Sequence, residues 1–259
     1  MHPTRINVIT CNLWNTERWS ARSATVRKFL ELFQPDVLCL QELRQKTRIF
    51  LDKALPAHSR VQDSFVGWTA ESNIYWRNTM FSEIEHGAED VRIKEKGHRR
   101  LFWARLNVKD RARSMIVATA HLTHQRHPDE SASGRSTRVG ETRRIIDALR
   151  RLNRKGEPLF FMGDFNDPVH PADLLHKAGY VSCFAALGIQ PPPTFKCYPT
   201  AAVEPGKLAF SQCVDWIVAN AEARPIAASV PYFFLNDAAP SDHWPVQAVY
   251  ELRGAVGKG

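Results

Sequence analysis

Asn12, Glu42, His121, Asp164, Asn166, Asp215, Asp242 and His243 are of types that bind cations, move protons or hold phosphates, and each stands at or near the end of an apolar run. The densest group is Gly163-Asp164-Phe165-Asn166-Asp167-Pro168, directly after the run Leu159 to Met162. A short apolar run bounded by turn residues reads as a buried strand. Polar groups placed where such a strand surfaces are a common way to build a site on a rigid scaffold. The same residues also suit a strand followed by an Asx turn, because Asp and Asn bond readily to nearby backbone. Taken singly, a strand-end His is more often a core or rim residue, and an Asp before a loop is more often a cap. Repetition of the pattern along the chain favours a shared pocket.

Such a pocket is rich in carboxylates, with two imidazoles and two amides. Oxygen-rich clusters favour hard cations, Mg²⁺ or Mn²⁺. A divalent ion bound by Glu42 would offset phosphate charge and polarise P–O bonds. An imidazole held by a carboxylate, as His243 by Asp215, is a good general base for water. Asn166 is placed to donate a hydrogen bond to a phosphoryl oxygen as charge builds. The chain has no Gly-x-Ser-x-Gly, so a serine-hydrolase route has no support. Cys11 and Cys39 lie in apolar, strand-like segments and read as buried free thiols rather than nucleophiles.

The elements that must position these residues follow from periodicity. Arg5 to Leu13 reads as a first strand, and Val26, Phe29, Leu30 and Phe33 form one face of a helix that Pro35 stops. Asp36 to Leu40 is a second strand, ending in Gln41-Glu42, and a helix spans Arg44 to Ala54. Ser72 to Arg77, Thr79 to Ile84, Phe102 to Val108 and Met115 to Ala120 read as strands, the last ending at His121. Thr123 to Thr137 is polar and reads as a loop. A helix covers Arg138 to Leu152 with its arginines away from the apolar face, and another runs from Pro171 to Ala178. Gln212 to Ala219, Arg224 to Phe234 and Trp244 to Leu252 complete the strands, and Gly254 to Gly259 reads as a loose tail. Helices and strands alternate with hairpins between them and no linker divides them, which predicts one α/β domain over residues 1–259 with sheets inside and helices outside.

With 259 residues, 44% of them hydrophobic, the chain can bury a large core, and no apolar run approaches the ~20 residues that span a bilayer. The N-terminus lacks the pattern of a signal peptide, and five cysteines without Cys-x-x-Cys spacing point away from a structural zinc site and toward a reducing, cytoplasmic location. A bridge between Cys197 and Cys213 stays open. Net charge is +8, and Arg135 to Lys155 carries eight Arg or Lys against Glu141 and Asp147. Clustered positive charge attracts polyanions, which points to nucleic acid as a partner; a phosphate-bearing small molecule would profit from the same field. A solvated helix face is the plainer reading of the same charges. Trp19, Trp68, Trp76 and Trp244 include candidates for base stacking, with core packing favoured for most.

Thr10-Cys11-Asn12, Leu40-Gln41-Glu42, Ala120-His121-Leu122, Gly163-Asp164-Phe165-Asn166, Val214-Asp215-Trp216 and Ser241-Asp242-His243 occur in this order over nearly the whole chain. The ordered set resembles the endonuclease/exonuclease/phosphatase superfamily, the fold of DNase I and exonuclease III. That resemblance implies a four-layer α/β/β/α sandwich, two packed mixed β-sheets flanked by helices, and metal-dependent cleavage of phosphodiesters or phosphomonoesters. By position it makes Glu42 the chief Mg²⁺ ligand, with Asn12 and Asp242 nearby. His243, paired with Asp215, becomes the general base or a phosphate ligand; Asp164 orients the attacking water and Asn166 holds the scissile phosphate. His121 takes the place of a second histidine, an acid or phosphate ligand that Glu71 would orient. Repair-type members carry Arg-Ile-Asp-Tyr where this chain has Cys213-Val214-Asp215-Trp216, which leans away from abasic-site repair.

Three functions compete on this reading. A Mg²⁺-dependent nuclease acting on DNA or RNA is favoured by the basic segments. A phosphodiesterase or phosphatase acting on a lipid headgroup or small phosphorylated molecule fits the same motifs. A catalytically inactive binding module is disfavoured because acid, base and metal residues are all present.

Overall fold

Thr4–Asn12 (β1) alternates two apolar sets, Ile6 and Val8 on one face and Ile9 and Cys11 on the other, and all four are buried. Val37–Gln41 (β2) repeats the pattern, with Val37 and Cys39 packed on one side and Leu38 and Leu40 on the other. Side chains alternate across a strand, so a strand buried on both faces belongs to a sheet covered on both faces. The computed structural model has that layering, and it describes residues 4–252 apart from 96, 110, 112, 154 and 198–211. The tail read at 254–259 lies outside the described residues.

Two mixed six-stranded sheets form the centre. The first has the order Ala223–Ser229 (β11), Val246–Leu252 (β12), β1, β2, Asn73–Arg77 (β4) and His58–Arg60 (β3), with β1 parallel to β2. The second has the order Phe81–Glu89 (β5), Leu101–Val108 (β6), Arg113–His121 (β7), Leu159–Asp164 (β8), Asp215–Ala219 (β10) and Val181–Ser182 (β9), with β7 parallel to β8. The sheets pack on each other: Phe160 of β8 meets Tyr250 of β12 edge to face at 5.0 Å, and Gln41 Nε2 donates to Thr119 Oγ1 at 2.9 Å.

Helices close the outer faces. Trp19–Phe33 (α1) lays Trp19, Val26, Phe29 and Leu30 on Ile9, Leu38 and Leu40. It stops where Gln34 turns left-handed (φ 39°) and donates to Leu30 O, before Pro35. Gln45–Ala54 (α2) adds Leu51 to that outer layer. On the other side Thr137–Leu152 (α5) buries Ile145, Ile146 and Leu149, and His170–Lys177 (α6) buries Leu175. Each such side chain contributes roughly 1.5–3 kcal/mol by leaving water. Gly67–Ala70 (α3), Pro128–Ser133 (α4) and Cys183–Ala186 (α7) are single turns or little more.

Several boundaries differ from the sequence reading for physical reasons. The loop expected over 123–137 contains α4, which has a His127 ring nitrogen accepting from Asp129 N–H, Pro128 in its first turn and Gly134 at its end. None of its residues is buried, so no apolar periodicity marked it. The strand expected over 224–234 stops at Ser229, before Pro231, and the one expected from Thr79 begins at Phe81 after a tight turn and runs on to Glu89. The last strand begins at Val246 rather than Trp244. Cys11, Cys39, Cys183, Cys197 and Cys213 are all buried thiols outside any disulfide, so the Cys197–Cys213 bridge is not formed. Among the described residues no helix is long and apolar enough to cross a membrane.

Gly163 lies opposite Ala120 where β7 and β8 pair. It has φ +152°, and a Cβ there would fall 2.1 Å from the Ala120 carbonyl oxygen. Gly163→Ala is therefore expected to destabilise by about 2–4 kcal/mol, the sum of backbone strain and overpacking against a rigid carbonyl. A urea melt reads this; an unchanged midpoint would show that the two strand ends are not held this close.

Candidate active site

Strand register alone gathers most of the polar residues. Parallel pairing of β7 with β8 sets His121 opposite Asp164, and antiparallel pairing of β8 with β10 sets Asp215 opposite Asp164. In the other sheet Asn12 lies opposite Gln41, next to Glu42. Both parallel pairs end on the same side of the sandwich, and such C-terminal strand ends are where ligands bind in α/β sheets. The two rows touch: Asn12 Nδ2 donates to Asp164 Oδ2 at 2.9 Å and to Glu42 Oε1 at 3.3 Å. Sharp left-handed turns follow, at Trp14 and Asn15 after β1, at Glu42 after β2 and at Asn166 after β8. Asn tolerates this conformation; for Trp and Glu it costs about 1–3 kcal/mol and persists only where the surroundings over-determine it.

Asp164 is the hub. Its Oδ2 also lies 3.3 Å from His121 Nε2 and 3.8 Å from His243 Nε2, and its Oδ1 accepts from Asn166 N–H at 2.8 Å. Burial pushes its pKa up, but the His243 and His121 charges and the bonds from Asn12 and Asn166 outweigh this and hold it below the usual range. His243 Nδ1 meets Asp215 Oδ2 at 2.8 Å, which leaves Nε2 facing the cleft. Desolvation lowers the His243 pKa, yet Asp215, Asp164 and Asp242 together raise it to about 10. Asp215 is itself raised by burial and by Asp164, against the pull of His243. Thr194 Oγ1 fixes the Val214 and Asp215 amides, and the Phe195 ring lies 4.6 Å from the His243 ring, tilted by 37°. The second histidine is oriented by Glu71, whose Oε1 is 3.2 Å from His121 Nδ1 and which also faces Arg99.

Glu42 and Asp242 form the acidic side of the cleft. Glu42 accepts amide hydrogens from Asn12 and Asn15, and among the described residues no cation lies within 4 Å of it. Asp242 accepts from Ser241 Oγ at 3.3 Å; burial, then Glu42 and Asp164, raise it to about 6 against the pull of His243. Among the described residues the buried Asp215 Oδ1 has no hydrogen-bond partner. Carboxylates without a cationic partner fit a hard divalent cation, with Asn12 beside them turning its NH2 to Glu42 and its Oδ1 to Trp14 N–H. Asp164, Asp215 and His243 also offer ligand atoms within 4.8 Å of one another. That set includes a nitrogen and an existing carboxylate–imidazole bond, so the Glu42–Asp242 side suits Mg²⁺ better.

Every residue singled out in the sequence, Asn12, Glu42, His121, Asp164, Asn166, Asp215, Asp242 and His243, belongs to this neighbourhood. Asn166 is partly committed, since Nδ2 donates to Leu122 O at 3.0 Å and has one hydrogen left. Two expectations change. Arg138 was expected on the solvated face of its helix, but it is 2% exposed and clamped between Glu130 and Asp167. Trp19, Trp68, Trp76 and Trp244 are all buried, so none is a free stacking surface. Asn15, Thr194 and Phe195 were missed, being loop residues without periodicity. Arg22 was missed too, although an Arg in register with Val26 and Phe29 on an apolar face was a visible signal.

Comparison with known proteins places these features in context. A family model described as the Endonuclease/Exonuclease/phosphatase family matches residues 9–243. No curated protein matches the sequence. Among solved structures, an endonuclease/exonuclease/phosphatase family protein from Bacteroides thetaiotaomicron is 20% identical, with TM-score 0.74 over 97% of this chain and 99% of that one. A mannosyl-6-phosphatase from Bacteroides thetaiotaomicron is 18% identical, with TM-score 0.73 over 95% and 99% of the two chains. D. rerio TDP2, solved with a single strand DNA product, is 16% identical, with TM-score 0.74 over 96% and 99%.

Proposed function

The chain belongs to the endonuclease/exonuclease/phosphatase family, whose members hydrolyse phosphoester bonds, and on that premise we propose that it is a Mg²⁺-dependent nuclease cutting phosphodiesters in DNA or RNA. The observation that carries this reading is the meeting of an Asp215–His243 pair and an acidic Glu42–Asp242 side on one carboxylate, Asp164.

Glu42, Asn12 and Asp242 are the residues to hold the cation, with Mn²⁺ an acceptable substitute. When bound, it draws charge from the phosphoryl oxygens and supports the leaving oxygen. The residues of the chain do the rest. Asp215 keeps the proton on His243 Nδ1 and fixes the ring. In the bare acidic field His243 holds a second proton at neutral pH. Nε2 acts as base once that second proton has left the ring, taking one from water. Asp164 accepts a hydrogen bond from the same water and aligns it, and the remaining Asn166 amide hydrogen holds the scissile phosphate. His121, braced by Glu71, serves the leaving side as acid or phosphate ligand.

Nucleic acid is favoured as substrate by the net charge of +8 and by exposed Arg135, Arg143 and Arg150 on and beside α5. The similar TDP2 structure holds a single strand DNA product. The withdrawal of Arg138 into its clamp weakens that basic face and keeps a second reading alive. In it the substrate is a small phosphorylated molecule or lipid headgroup, as the mannosyl-6-phosphatase neighbour suggests. Five buried cysteines, none in a disulfide, suit a reducing compartment, and we place the protein in the cytoplasm.

Salt separates the two substrates. Cleavage of an oligonucleotide should fall about 10- to 40-fold between 50 and 200 mM KCl if two to three phosphates are neutralised. Activity confined to small phosphoesters and indifferent to KCl would overturn the nuclease reading.

A further inference from the structure

Arg22 lies on the inner face of α1 and is 0% exposed. Its guanidinium makes four hydrogen bonds: Nε to Glu17 O at 2.6 Å, Nη1 to Pro240 O at 2.8 Å, and Nη2 to Trp14 O at 3.0 Å and Asn15 O at 3.1 Å. All four acceptors are main-chain carbonyls, and among the described residues no carboxylate lies within 4 Å of it. The rings of Trp19 and Trp14 sit 5.0 and 5.6 Å from its Cζ. A buried charge without an ion-pair partner is costly, and folds keep such groups chiefly where something depends on them.

The carbonyls come from two segments more than two hundred residues apart. One is the turn after β1, which contains Asn15, whose amide donates to Glu42. The other ends at Pro240, two residues before Asp242. Trp14 and Asn15 both have positive φ, 51° and 50°, and the two bonds from Nη2 hold their carbonyls in that strained turn. Asp242 and Glu42 are close enough to act on the Arg22 charge.

We propose that Arg22 is a positioning residue: its planar fork ties the turn after β1 to the segment before Asp242 and so fixes the separation of Glu42 and Asp242 for a divalent cation. The inference rests on the cation reading above. A fork with five donors can span two loops; a lysine ammonium, a point charge, cannot make the same set of bonds.

The test is calorimetric titration of Mn²⁺ into the chelator-stripped full chain, alongside thermal melts. Arg22→Lys keeps the charge, Arg22→Met keeps the bulk, and Leu149→Ala is a control that loosens the fold far from the cleft. Both Arg22 variants should weaken the Mn²⁺ Kd at least ~10-fold, the range seen when residues that orient metal ligands are lost. The control should bind as wild type despite its lower Tm. A wild-type Kd in Arg22→Lys overturns the role of the fork, and so does equal weakening in Leu149→Ala. Binding that is lost in Glu42→Gln but unchanged in both Arg22 variants keeps the cation reading and removes Arg22 from it. No Mn²⁺ binding by wild type removes both.

Discussion

His243→Ala is expected to lower kcat at saturating Mg²⁺ by at least ~100-fold, and by ~10³-fold if proton transfer limits turnover, the range for a lost general base. His121, with Nε2 facing Asp164 and Nδ1 on Glu71, is a similar pair, but the assignment above puts it on the leaving side. Without the imidazole, Asp215 and Asp164 remain as paired buried carboxylates, and one of them takes up a proton instead. The pH–rate profile should change as well, because the limb set by the imidazole disappears. Stability gives an independent reading. In the cation-free protein the folded pKa of His243 is raised from 6.5 to about 10, so its contribution is complete below pH 6.5 and is lost as pH rises through about 10. Wild-type and His243→Ala melts should therefore differ most at low pH within the folded range and converge in alkali. Wild-type rates in the variant, measured as initial velocities on a diester, would remove His243 from the chemistry.

Glu42→Gln should cost a comparable ~10²–10³-fold in turnover, through loss of a charged cation ligand. The substitution keeps size and backbone, so the left-handed turn at Glu42 (φ 54°) is not relieved or worsened. Removing the charge lowers the repulsion that helps hold Asp242 at about 6. The cation-free variant should then melt at or above the wild-type temperature while being nearly inactive. Loss of activity together with a clear fall in Tm would mean that Glu42 braces the fold rather than holds a cation. Full activity at millimolar Mg²⁺ would place the cation elsewhere, with Asp164, Asp215 and His243 the next set to test.

Much of this cleft was legible in the chain because strand ends advertise themselves. β1, β2, β7 and β8 are apolar runs that stop at or beside a polar residue, β10 is one that starts at Asp215, and parallel or antiparallel register then brings those residues into rows. The four-layer arrangement was implied by the family resemblance, and strands such as β1 and β2, apolar on both faces, show why each sheet is covered on both sides. What stayed hidden has no period. Asn15, Thr194 and Phe195 act from loops, where position depends on tertiary contacts rather than on spacing. The helix α4 buries nothing and so leaves no apolar trace, though its Pro128 start and Gly134 stop were readable. Arg138 was misplaced because a basic residue in a basic helix looks solvated; its partners Glu130 and Asp167 come from separate elements.

One add-back assay reaches the central claim most directly. The chain is stripped with EDTA, dialysed, and given bis(4-nitrophenyl) phosphate with and without MgCl2. A cleft that works by holding a divalent cation between Glu42 and Asp242 predicts no hydrolysis by the stripped protein and recovery on adding Mg²⁺. Undiminished hydrolysis in excess EDTA, or equal recovery in Glu42→Gln, would contradict it.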